Sequence, residues 1–325
     1  MVIMIENKLM IPSNYDQLDL DVRSVEPEGE IRGIVQISHG MSEYKERYLP
    51  LMRYLASHGY ACVIHDHRGH GKSIRSQEDL GYFYGGGSGA LVEDLFQVTC
   101  LAKEQWPGVP VILVGHSMGS LIARNYIKKY DDQLQTLILT GSPSKNPAVK
   151  LGILIAWTEG KLFGRRHRSK LLEALSFGSY MARFPGEKSR FGWTCSDPEV
   201  VEEYDRSRLC GFTFSCDAYL GLLKLLEETY NQKNWKCYNP QLPILFLGGT
   251  EDPCIGSGRK FYHAIRCLYS VGYHNITQKR YPGMRHEILN EKGKEKVYQN
   301  ILTFIEKNRE VCYTFNRAQK GKTDV

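Results

Sequence analysis

The chain has 325 residues, of which 42% are hydrophobic and 24% are charged, and its formal net charge is +6. This composition excludes an intrinsically disordered chain, and the length suits one large domain with an insertion or two domains. The modest charge does not require a nucleic-acid partner, so we predict none, and no run of about 18 apolar residues is present to span a membrane.

The cysteines and the first residues indicate a reducing compartment. Nine cysteines are scattered through the chain without a C-x-x-C pair, and such an odd count favours free thiols over a disulfide framework. The opening stretch has no basic segment, and Glu6 and Lys8 interrupt its apolar residues, so we predict no signal peptide. We therefore expect a cytoplasmic enzyme.

The first part of the chain predicts strands around one helix. Alternating or continuously apolar stretches predict strands at Met4–Ile11, Leu18–Val25, Ile31–Ser38 and Tyr60–His65. The first two are separated by a short turn and predict an antiparallel hairpin. Residues 43–58 predict a helix in two pieces, because Pro50 interrupts helical hydrogen bonding.

The loop Asp66–Ser73 is rich in glycine and histidine and resembles two kinds of binding site. Its end is similar to a phosphate-binding loop, but Asp66 stands where that motif needs glycine. The histidines in and beside it resemble a metallohydrolase cluster, but Gly69 occupies the acid position. We therefore predict a structured loop, and we expect no metal and no cofactor in this protein.

A candidate nucleophile follows the apolar run Val109–Val114. Gly115-His116-Ser117-Met118-Gly119 comes next, and helical periodicity then extends to Tyr130. The G-x-S-x-G pattern at a strand-to-helix turn is typical of a nucleophile elbow, which exposes the serine hydroxyl at the sheet edge. Because short patterns also arise by chance, the elbow requires a histidine and an acid later in the chain. Ser117 is the candidate nucleophile.

Strands and helices alternate again around one long interruption. A helix is predicted at about Ala90–Trp106 and a strand at Leu134–Thr140, and the alternation then stops from residue 144 to residue 238. That helical, tryptophan-rich segment predicts an inserted cap. Strands at Pro243–Gly248 and Asn275–Tyr281, a helix at Gly258–Tyr269 and a last helix near 292–308 restore the pattern of a parallel, doubly wound sheet.

A serine hydroxyl needs a base and a group that orients the base. Of ten histidines, His286 is the best candidate because it lies in a turn after the last predicted strand. For the acid we choose Asp252, in the loop after the preceding strand, with Glu251 as the alternative. The order Ser117, Asp252, His286 is that of α/β-hydrolases.

Acyl transfer also needs two backbone N–H donors for the developing oxyanion. Met118, directly after the nucleophile, supplies the first of them. Met41 follows His39-Gly40 at the end of an earlier strand and is the candidate for the second. A core methionine at a strand end is the alternative interpretation of Met41.

Five segments together resemble the monoacylglycerol lipase and lysophospholipase group of α/β-hydrolases, of the serine aminopeptidase S33 or Hydrolase_4 type. They are Ser38-His39-Gly40-Met41-Ser42-Glu43 with Arg47-Tyr48, Asp66-His67-Arg68-Gly69-His70-Gly71-Lys72-Ser73, Gly115-His116-Ser117-Met118-Gly119, Gly249-Thr250-Glu251-Asp252-Pro253, and Tyr281-Pro282-Gly283-Met284-Arg285-His286-Glu287. The likeness covers residues 1–143 and 239–310. Tyr44 departs from the pattern, since these lipases often have histidine there.

The resemblance implies a fold, a reaction and a set of site residues. It implies an α/β-hydrolase fold, with a mostly parallel eight-stranded sheet flanked by helices and a helical cap inserted after the sixth strand. The core would comprise residues 1–143 and 239–325, and the cap residues 144–238. Ser117, Asp252 and His286 would form the triad, and Met41 and Met118 would bind the oxyanion.

The implied function is cofactor-free hydrolysis of a carboxylic ester through an acyl-serine intermediate. The substrate would be a small-molecule acyl ester, such as a monoacylglycerol, a lysophospholipid or a related ester. An aminopeptidase, a thioesterase and a cofactor-free haloperoxidase on the same fold remain alternatives, the first because Glu202, Glu203 and Asp205 offer acids in the cap. A non-catalytic ligand-binding protein is the alternative from another class, and the oligomeric state is left open.

The cap carries two further hypotheses. The apolar stretch Pro147–Trp157 precedes five basic residues, Lys161, Arg165, Arg166, Arg168 and Lys170. This pattern indicates peripheral contact with a membrane surface, although packing over the active site explains the apolar part equally well. Aromatic residues predict the lining of an acyl tunnel, namely Phe177, Tyr180, Phe184, Phe191, Trp193, Phe212 and Phe214.

Overall fold

The computed structural model describes residues 4–320, with the side chains of residues 310–320 left out of the description. Eight strands form one sheet in the order β1-β2-β4-β3-β5-β6-β7-β8. The strands are β1 (Met4–Pro12), β2 (Asp19–Pro27), β3 (Gly33–Ser38), β4 (Tyr60–His65), β5 (Val111–His116), β6 (Thr136–Thr140), β7 (Ile244–Gly249) and β8 (Ile276–Tyr281).

The sheet is mostly parallel. β1 and β2 form the predicted antiparallel hairpin, and β2 also pairs antiparallel with β4. The remaining neighbours, from β4 through β3 to β8, are parallel. Strands β3 to β7 are buried along their whole length, which is why their sequences are continuously apolar rather than alternating.

Helices cover both faces of this sheet. They are α1 (Leu49–Ala56), α2 (Gly87–Gln105), α3 (Met118–Tyr130), α4 (Val149–Leu162), α5 (Lys170–Met181), α6 (Pro198–Arg206), α7 (Cys216–Tyr230), α8 (Gly258–Ser270) and α9 (Lys294–Lys320). One apolar core joins the sheet to α2, α3, α7 and α8, and a second joins its other face to α1 and α9. Among the described residues, no helix is both long and apolar enough to cross a membrane.

The predicted division of the first helix is confirmed. A short 3₁₀ helix covers Lys45–Tyr48, and α1 then begins with Pro50 in its first turn, where the missing N–H of proline is tolerated. Helix α2 starts at Gly87, three residues earlier than the sequence predicts. Helix ends are the least predictable feature, because the first turn has no internal acceptor for its N–H groups.

Four helices, α4 to α7, lie between β6 and β7 and occupy the predicted cap segment, residues 144–238. Three of them begin at a residue whose side chain accepts a backbone N–H, namely Ser169, Asp197 and Ser215. Helix α7 connects this segment to α3, since Asn125 donates to Thr229 Oγ1 at 2.7 Å. The boundaries of the cap as a separate domain remain a prediction.

Candidate active site

Ser117 lies in the turn between β5 and α3, in a strained backbone conformation. Its φ is 51° and its ψ is −118°, a combination that few non-glycine residues adopt. The neighbouring glycines allow the strand and the helix to approach. A Cβ on Gly119 would lie 2.0 Å from the Ser38 carbonyl oxygen, and one on Gly115 would lie 2.7 Å from the Gly119 carbonyl oxygen. The predicted elbow is therefore present.

The loops after β7 and β8 bring the two predicted partners to this serine. His286 Nε2 lies 2.8 Å from Ser117 Oγ, and His286 Nδ1 lies 2.9 Å from Asp252 Oδ2. The three side chains come together because β5, β7 and β8 run parallel and end at the same sheet edge. Gly249 allows the last two loops to touch, since a Cβ there would lie 2.0 Å from the Met284 carbonyl oxygen.

Of the two candidate acids, the structure brings only Asp252 to the histidine. Asp252 is fully buried, and its Oδ1 accepts the Cys254 N–H at 2.7 Å. Glu251 is exposed to solvent. A buried carboxylate with these two partners holds the imidazole in one orientation and stabilises the imidazolium form.

The charge on Asp252 sets the basicity of His286. Burial lowers the pKa of His286, but the charge and hydrogen bond of Asp252, together with the charges of Glu287 and Glu43, more than offset this, so the pKa lies above the ordinary 6.5. The ring is packed between His116 and Trp193, at centroid distances of 4.9 and 5.0 Å. Burial lowers the pKa of His116 to about 3, so that neighbour is neutral.

The loop after β3 lies beside the elbow because Ser38 pairs with Gly115 in the sheet. The Gly40 N–H donates to Glu43 Oε1 at 2.6 Å, and the Ser42 N–H donates to His70 Nε2 at 3.2 Å. Met41 stands between these two anchored residues, and its N–H has no acceptor among the described residues. Met118 is the first residue of α3, where the N–H has no acceptor within the helix.

An ion-pair network supports this loop, and we did not predict it from the sequence. Arg47 donates to Glu43 Oε2 at 2.7 Å and to both carboxylate oxygens of Glu287, at 2.9 and 2.5 Å. Burial alone would raise the pKa of Glu287, but Arg47 lowers it to about 2. Arg47 thus joins the loop before α1 to the residue after His286. The i, i+4 spacing of Glu43 and Arg47 was the available signal.

The histidine-rich loop is a buried structural cluster. His39, His67 and His70 are fully buried, and the rings of His39 and His67 lie 4.3 Å apart. Burial keeps the pKa values of all three below the ordinary value, so they are neutral. They hold loops together, as when the His67 N–H donates to His39 Nε2 at 2.9 Å.

The described residues place one set of metal-type ligands together, Asp252, Cys254 and His286. This set does not suit a metal. His286 and Asp252 are hydrogen-bonded to each other, and burial raises the pKa of the Cys254 thiol well above its ordinary value. A metal ligand must be a thiolate rather than a thiol.

Ser117 and His286 line a mostly apolar cavity of about 310 Å³ between the sheet edge and the cap segment. Five of the seven aromatic residues predicted for an acyl tunnel line it, namely Phe177, Tyr180, Phe191, Trp193 and Phe212. The other two do not. Phe214 is fully buried against Phe83, and Phe184 lies beneath the guanidinium of Arg285 at 4.3 Å.

Three of the five basic residues of the cap segment bind protein groups. Arg165 pairs with Asp217, and Arg166 pairs with Asp79. Arg168 donates to the Leu80 carbonyl oxygen at 2.7 Å. The arginines therefore fasten the segment between α4 and α5 to α7 and to the loop before α2.

Comparisons with known proteins find similarity over most of the chain. A family model described as Serine aminopeptidase, S33 (Hydrolase_4) matches residues 29–293. The monoacylglycerol lipase of Mycolicibacterium smegmatis is 26% identical over 287 residues, covering 86% of this chain and 90% of that protein. The phospholipase YtpA of Bacillus subtilis is 24% identical over 272 residues, covering 83% of this chain and 94% of that protein.

Among solved structures, the thermostable carboxyl esterase of Bacillus coagulans superposes with a TM-score of 0.85. It is 26% identical, and the match covers 94% of this chain and 99% of that one. The predicted α/β-hydrolase fold is confirmed, with its mostly parallel eight-stranded sheet flanked by helices.

Proposed function

This chain belongs to the Hydrolase_4 family, described as Serine aminopeptidase, S33, and from that premise we propose that it releases a fatty acid from a single-chain acyl lipid through an acyl-serine intermediate. The chain is a monoacylglycerol lipase-like α/β-hydrolase and a serine ester hydrolase of the EC 3.1.1 type. The observation that carries the finer proposal is the hydrogen-bonded array of Ser117, His286 and Asp252 beside a mostly apolar cavity.

In the proposed first step, Ser117 Oγ attacks the ester carbonyl carbon while His286 Nε2 takes the hydroxyl proton. The Asp252 carboxylate stabilises the imidazolium that forms. The tetrahedral intermediate then expels the alcohol, and His286 returns the proton to the alcohol oxygen. The fatty acyl group stays on Ser117 as an ester.

The proposed second step repeats this chemistry with water as the nucleophile. His286 takes a proton from the water, the hydroxide oxygen attacks the acyl carbon, and the proton returns to Ser117 Oγ as the acid leaves. In both steps the oxyanion would accept hydrogen bonds from the N–H groups of Met41 and Met118. Two observations support this role: the anchoring of Gly40 and Ser42 on either side of Met41, and the position of Met118 at the start of α3.

The charges around the cavity favour an ester lipid over a peptide. An aminopeptidase needs an uncompensated acid to bind the substrate amine. Among the described residues, each cavity-lining carboxylate already binds an arginine, since Glu43 and Glu287 bind Arg47 and Glu173 binds Arg190. The cap acids that kept the alternative open, Glu202, Glu203 and Asp205, are exposed on α6 and do not line the cavity.

Helices α4 and α5 present apolar side chains to solvent. The exposed residues are Leu151, Leu154, Trp157, Leu162, Phe163, Leu171 and Leu175, a set that we name the α4–α5 face. Several large apolar side chains exposed on two consecutive helices favour an interaction site. The proposal therefore includes peripheral contact of this face with a lipid surface, which would deliver a poorly soluble substrate to the neighbouring cavity.

The membrane contact is tested by sedimentation with phosphatidylcholine vesicles. Replacing Leu154→Asp and Trp157→Asp together is expected to reduce the bound fraction at least about fivefold, because two charges would have to enter the apolar interface. Leu9→Asp is the matched control, since Leu9 is an exposed apolar residue on β1. Equal binding by all three proteins would contradict the contact.

The catalytic proposal is tested with a fluorophosphonate probe and an ester series. The probe should label Ser117 in the native chain and fail on Ser117→Ala, whose turnover should fall by about 10⁴-fold or more. Hydrolysis of p-nitrophenyl esters from acetyl to palmitoyl, with monoacylglycerol and lysophosphatidylcholine, then defines the substrate class. A short-chain optimum without lipid turnover would refute the acyl-lipid proposal and leave the esterase chemistry standing.

A further inference from the structure

A second cavity of about 470 Å³ adjoins the one that contains Ser117. Asn146 and Leu226 line both cavities. Tyr230 lines the second, and its hydroxyl donates at 2.7 Å to the carbonyl oxygen of Pro143, a lining residue of the first. The two cavities are therefore adjacent, and they meet at Asn146 and Leu226.

Most of the charged residues that line the second cavity are cations. Lys145 and Lys150 come from the start of the cap segment, and Lys233 follows the end of α7. Glu227 is the single acid in the lining that the structure describes. The three lysines exceed this one carboxylate, so the potential in the cavity is positive. We call this cavity the lysine cleft.

A buried arginine in contact with Tyr230 adds to this potential. Arg124 on α3 is fully buried, and its guanidinium lies 4.6 Å from the centre of the Tyr230 ring that lines the cleft. Its only hydrogen bond among the described residues runs from Nη1 to Ser142 Oγ at 3.5 Å, while Nε and Nη2 have no acceptor. A buried charge without a carboxylate partner is costly, and an anion in the cleft would offset that cost.

His263, on the neighbouring helix α8, responds to the same charges. Its ring stacks on Tyr230 at a centroid distance of 5.9 Å. Burial lowers the pKa of His263, and the positive charges of Lys145, Arg266 and Arg124 lower it further. The lining lysines and the buried arginine beside Tyr230 therefore make the cleft electropositive, and the lowered pKa of His263 is, after burial, a consequence of the positive charges of Lys145 and Arg124.

We propose that the lysine cleft binds the phosphate of the substrate head group, so that the preferred substrate is an anionic single-chain phospholipid such as a lysophosphatidic acid rather than a neutral monoacylglycerol. This inference rests on the proposed function, because it places the scissile ester at Ser117. Lysine ammonium groups bind phosphate as point charges, through charge-assisted hydrogen bonds. Binding energy from this remote group is available to orient the ester for attack.

The kinetic test compares lysophosphatidic acid and monoacylglycerol of one acyl chain, in uncharged detergent micelles. The quantity measured is the ratio of kcat/KM for the first substrate to kcat/KM for the second. The triple variant Lys145→Gln, Lys150→Gln, Lys233→Gln should lower this ratio about tenfold or more, and 0.5 M salt should lower it in the native protein, because salt screens exposed charge pairs. The single variant Glu227→Gln should raise the ratio.

The matched control is the triple variant Lys8→Gln, Lys224→Gln, Lys307→Gln. It removes the same three charges from exposed positions outside the cleft, and it should leave the ratio unchanged. If both triple variants lower the ratio equally, the effect comes from net charge and the subsite is wrong. An unchanged ratio in the cleft variant also overturns it.

Direct binding separates this inference from the catalytic proposal. Calorimetry with Ser117→Ala should show tighter binding of lysophosphatidic acid than of monoacylglycerol, and the cleft variant should lose that difference. If the difference is present but the native protein hydrolyses neither lipid, the catalytic proposal fails and the subsite stands. If Ser117→Ala binds both lipids equally, the subsite is refuted. Inorganic phosphate that binds to the cleft without any preference for the phospholipid also refutes it, because the cleft then takes free phosphate.

Discussion

At the scale of single residues, His286 connects the hydroxyl of Ser117 to the carboxylate of Asp252. The two hydrogen bonds, at 2.8 and 2.9 Å, use different ring nitrogens. The neutral ring therefore carries its proton on Nδ1 and presents an unprotonated Nε2 to the serine. Only this form removes the serine proton, so the protonation of one side chain controls the proposed chemistry.

The rate should consequently fall in acid through the pKa of His286. Because Asp252 raises this pKa above 6.5, the inactive imidazolium form is already populated near neutral pH. We expect kcat/KM for a soluble ester to drop about tenfold per pH unit below that pKa and to reach a plateau above it. Stopped-flow or plate-based rates between pH 5.5 and 9 at constant ionic strength measure this dependence of kcat/KM on pH.

The variant Asp252→Asn tests whether His286 causes this fall of kcat/KM at acid pH. Without the carboxylate, His286 loses the largest influences that raise its pKa while burial still lowers it. The fall in rate should therefore move to lower pH, while the plateau rate falls by about 10⁴-fold. Glu251→Gln is the control, since Glu251 is exposed, and it should change neither the pH at which the rate falls nor the plateau rate. If the rate of Asp252→Asn falls at the same pH as that of the native protein, another group controls the fall.

At the scale of elements, the site is assembled by loops at one sheet edge. The elbow, the loop after β3 and the loops after β7 and β8 all follow parallel strands. The sequence predicted these loops because strand and helix patterns alternate in it, and the carboxyl ends of parallel strands must meet. It therefore located Ser117, Asp252 and His286 without any knowledge of long-range contacts.

The support around those loops was not predictable in the same way. Arg47 binds Glu43 and Glu287, which are 244 positions apart in the chain, and no local pattern connects such residues. The basic residues of the cap segment were also not predictable. Their pattern indicated contact with a membrane surface, whereas Arg165 and Arg166 bind Asp217 and Asp79. Side-chain pairing between distant segments depends on three-dimensional packing that a one-dimensional pattern does not contain.

The elbow lies so close to β3 that adding one methyl group at Gly119 should affect both stability and activity. Gly119→Ala would place a Cβ 2.0 Å from the Ser38 carbonyl oxygen, so β3 and the Met41 loop would have to shift. We expect a loss of roughly 1–3 kcal/mol in unfolding free energy and at least about a 10²-fold loss of kcat, because the proposed oxyanion donor Met41 moves. Urea denaturation and ester hydrolysis measure the two effects.

Gly89→Ala is the control for that substitution. Gly89 lies in α2, where an added Cβ would meet nothing within 4 Å. Alanine is favoured over glycine in helices, so this variant should be unchanged or more stable by about 0.5–1 kcal/mol. If Gly119→Ala retains native activity, the close contact between elbow and sheet is not needed for catalysis.

At the scale of the whole molecule, the protein buries five neutral histidines. His39, His65, His67, His70 and His116 are all buried, and burial lowers the pKa of each below 6.5. For His70 the pKa is about 4. The unfolded chain would bind a proton at each of these positions below pH 6.5, whereas the folded protein would not.

The fold should therefore be acid-labile. Each such histidine lowers stability by about 1.4 kcal/mol per pH unit below pH 6.5, so the five together contribute a slope of about 7 kcal/mol per pH unit. Against a typical unfolding free energy of about 5–15 kcal/mol, this predicts loss of structure between about pH 6 and pH 4.5. Circular dichroism during urea titrations at successive pH values measures the slope.

Other titrating groups alter the size of this slope but not its sign. The raised pKa of His286 gives a contribution that is fully present below pH 6.5, so it is constant in this window. The raised pKa values of Glu43, Asp66 and Asp94, which burial causes, act in the opposite direction because the folded protein takes up those protons first. The lowered pKa values of His263 and Glu287 act in the same direction as the five histidines, so the slope of the five histidines is their own contribution and not the total.

His65 allows the mechanism to be isolated, because neither of its ring nitrogens has a hydrogen-bond partner among the described residues. His65→Met keeps a similar volume and should cost little stability at pH 8, while it reduces the slope between pH 6.5 and 5 by about 1.4 kcal/mol per pH unit. His274→Gln, at an exposed position, should leave the slope unchanged. If His65→Met retains the full slope, then the buried histidine at this position does not contribute to the acid lability.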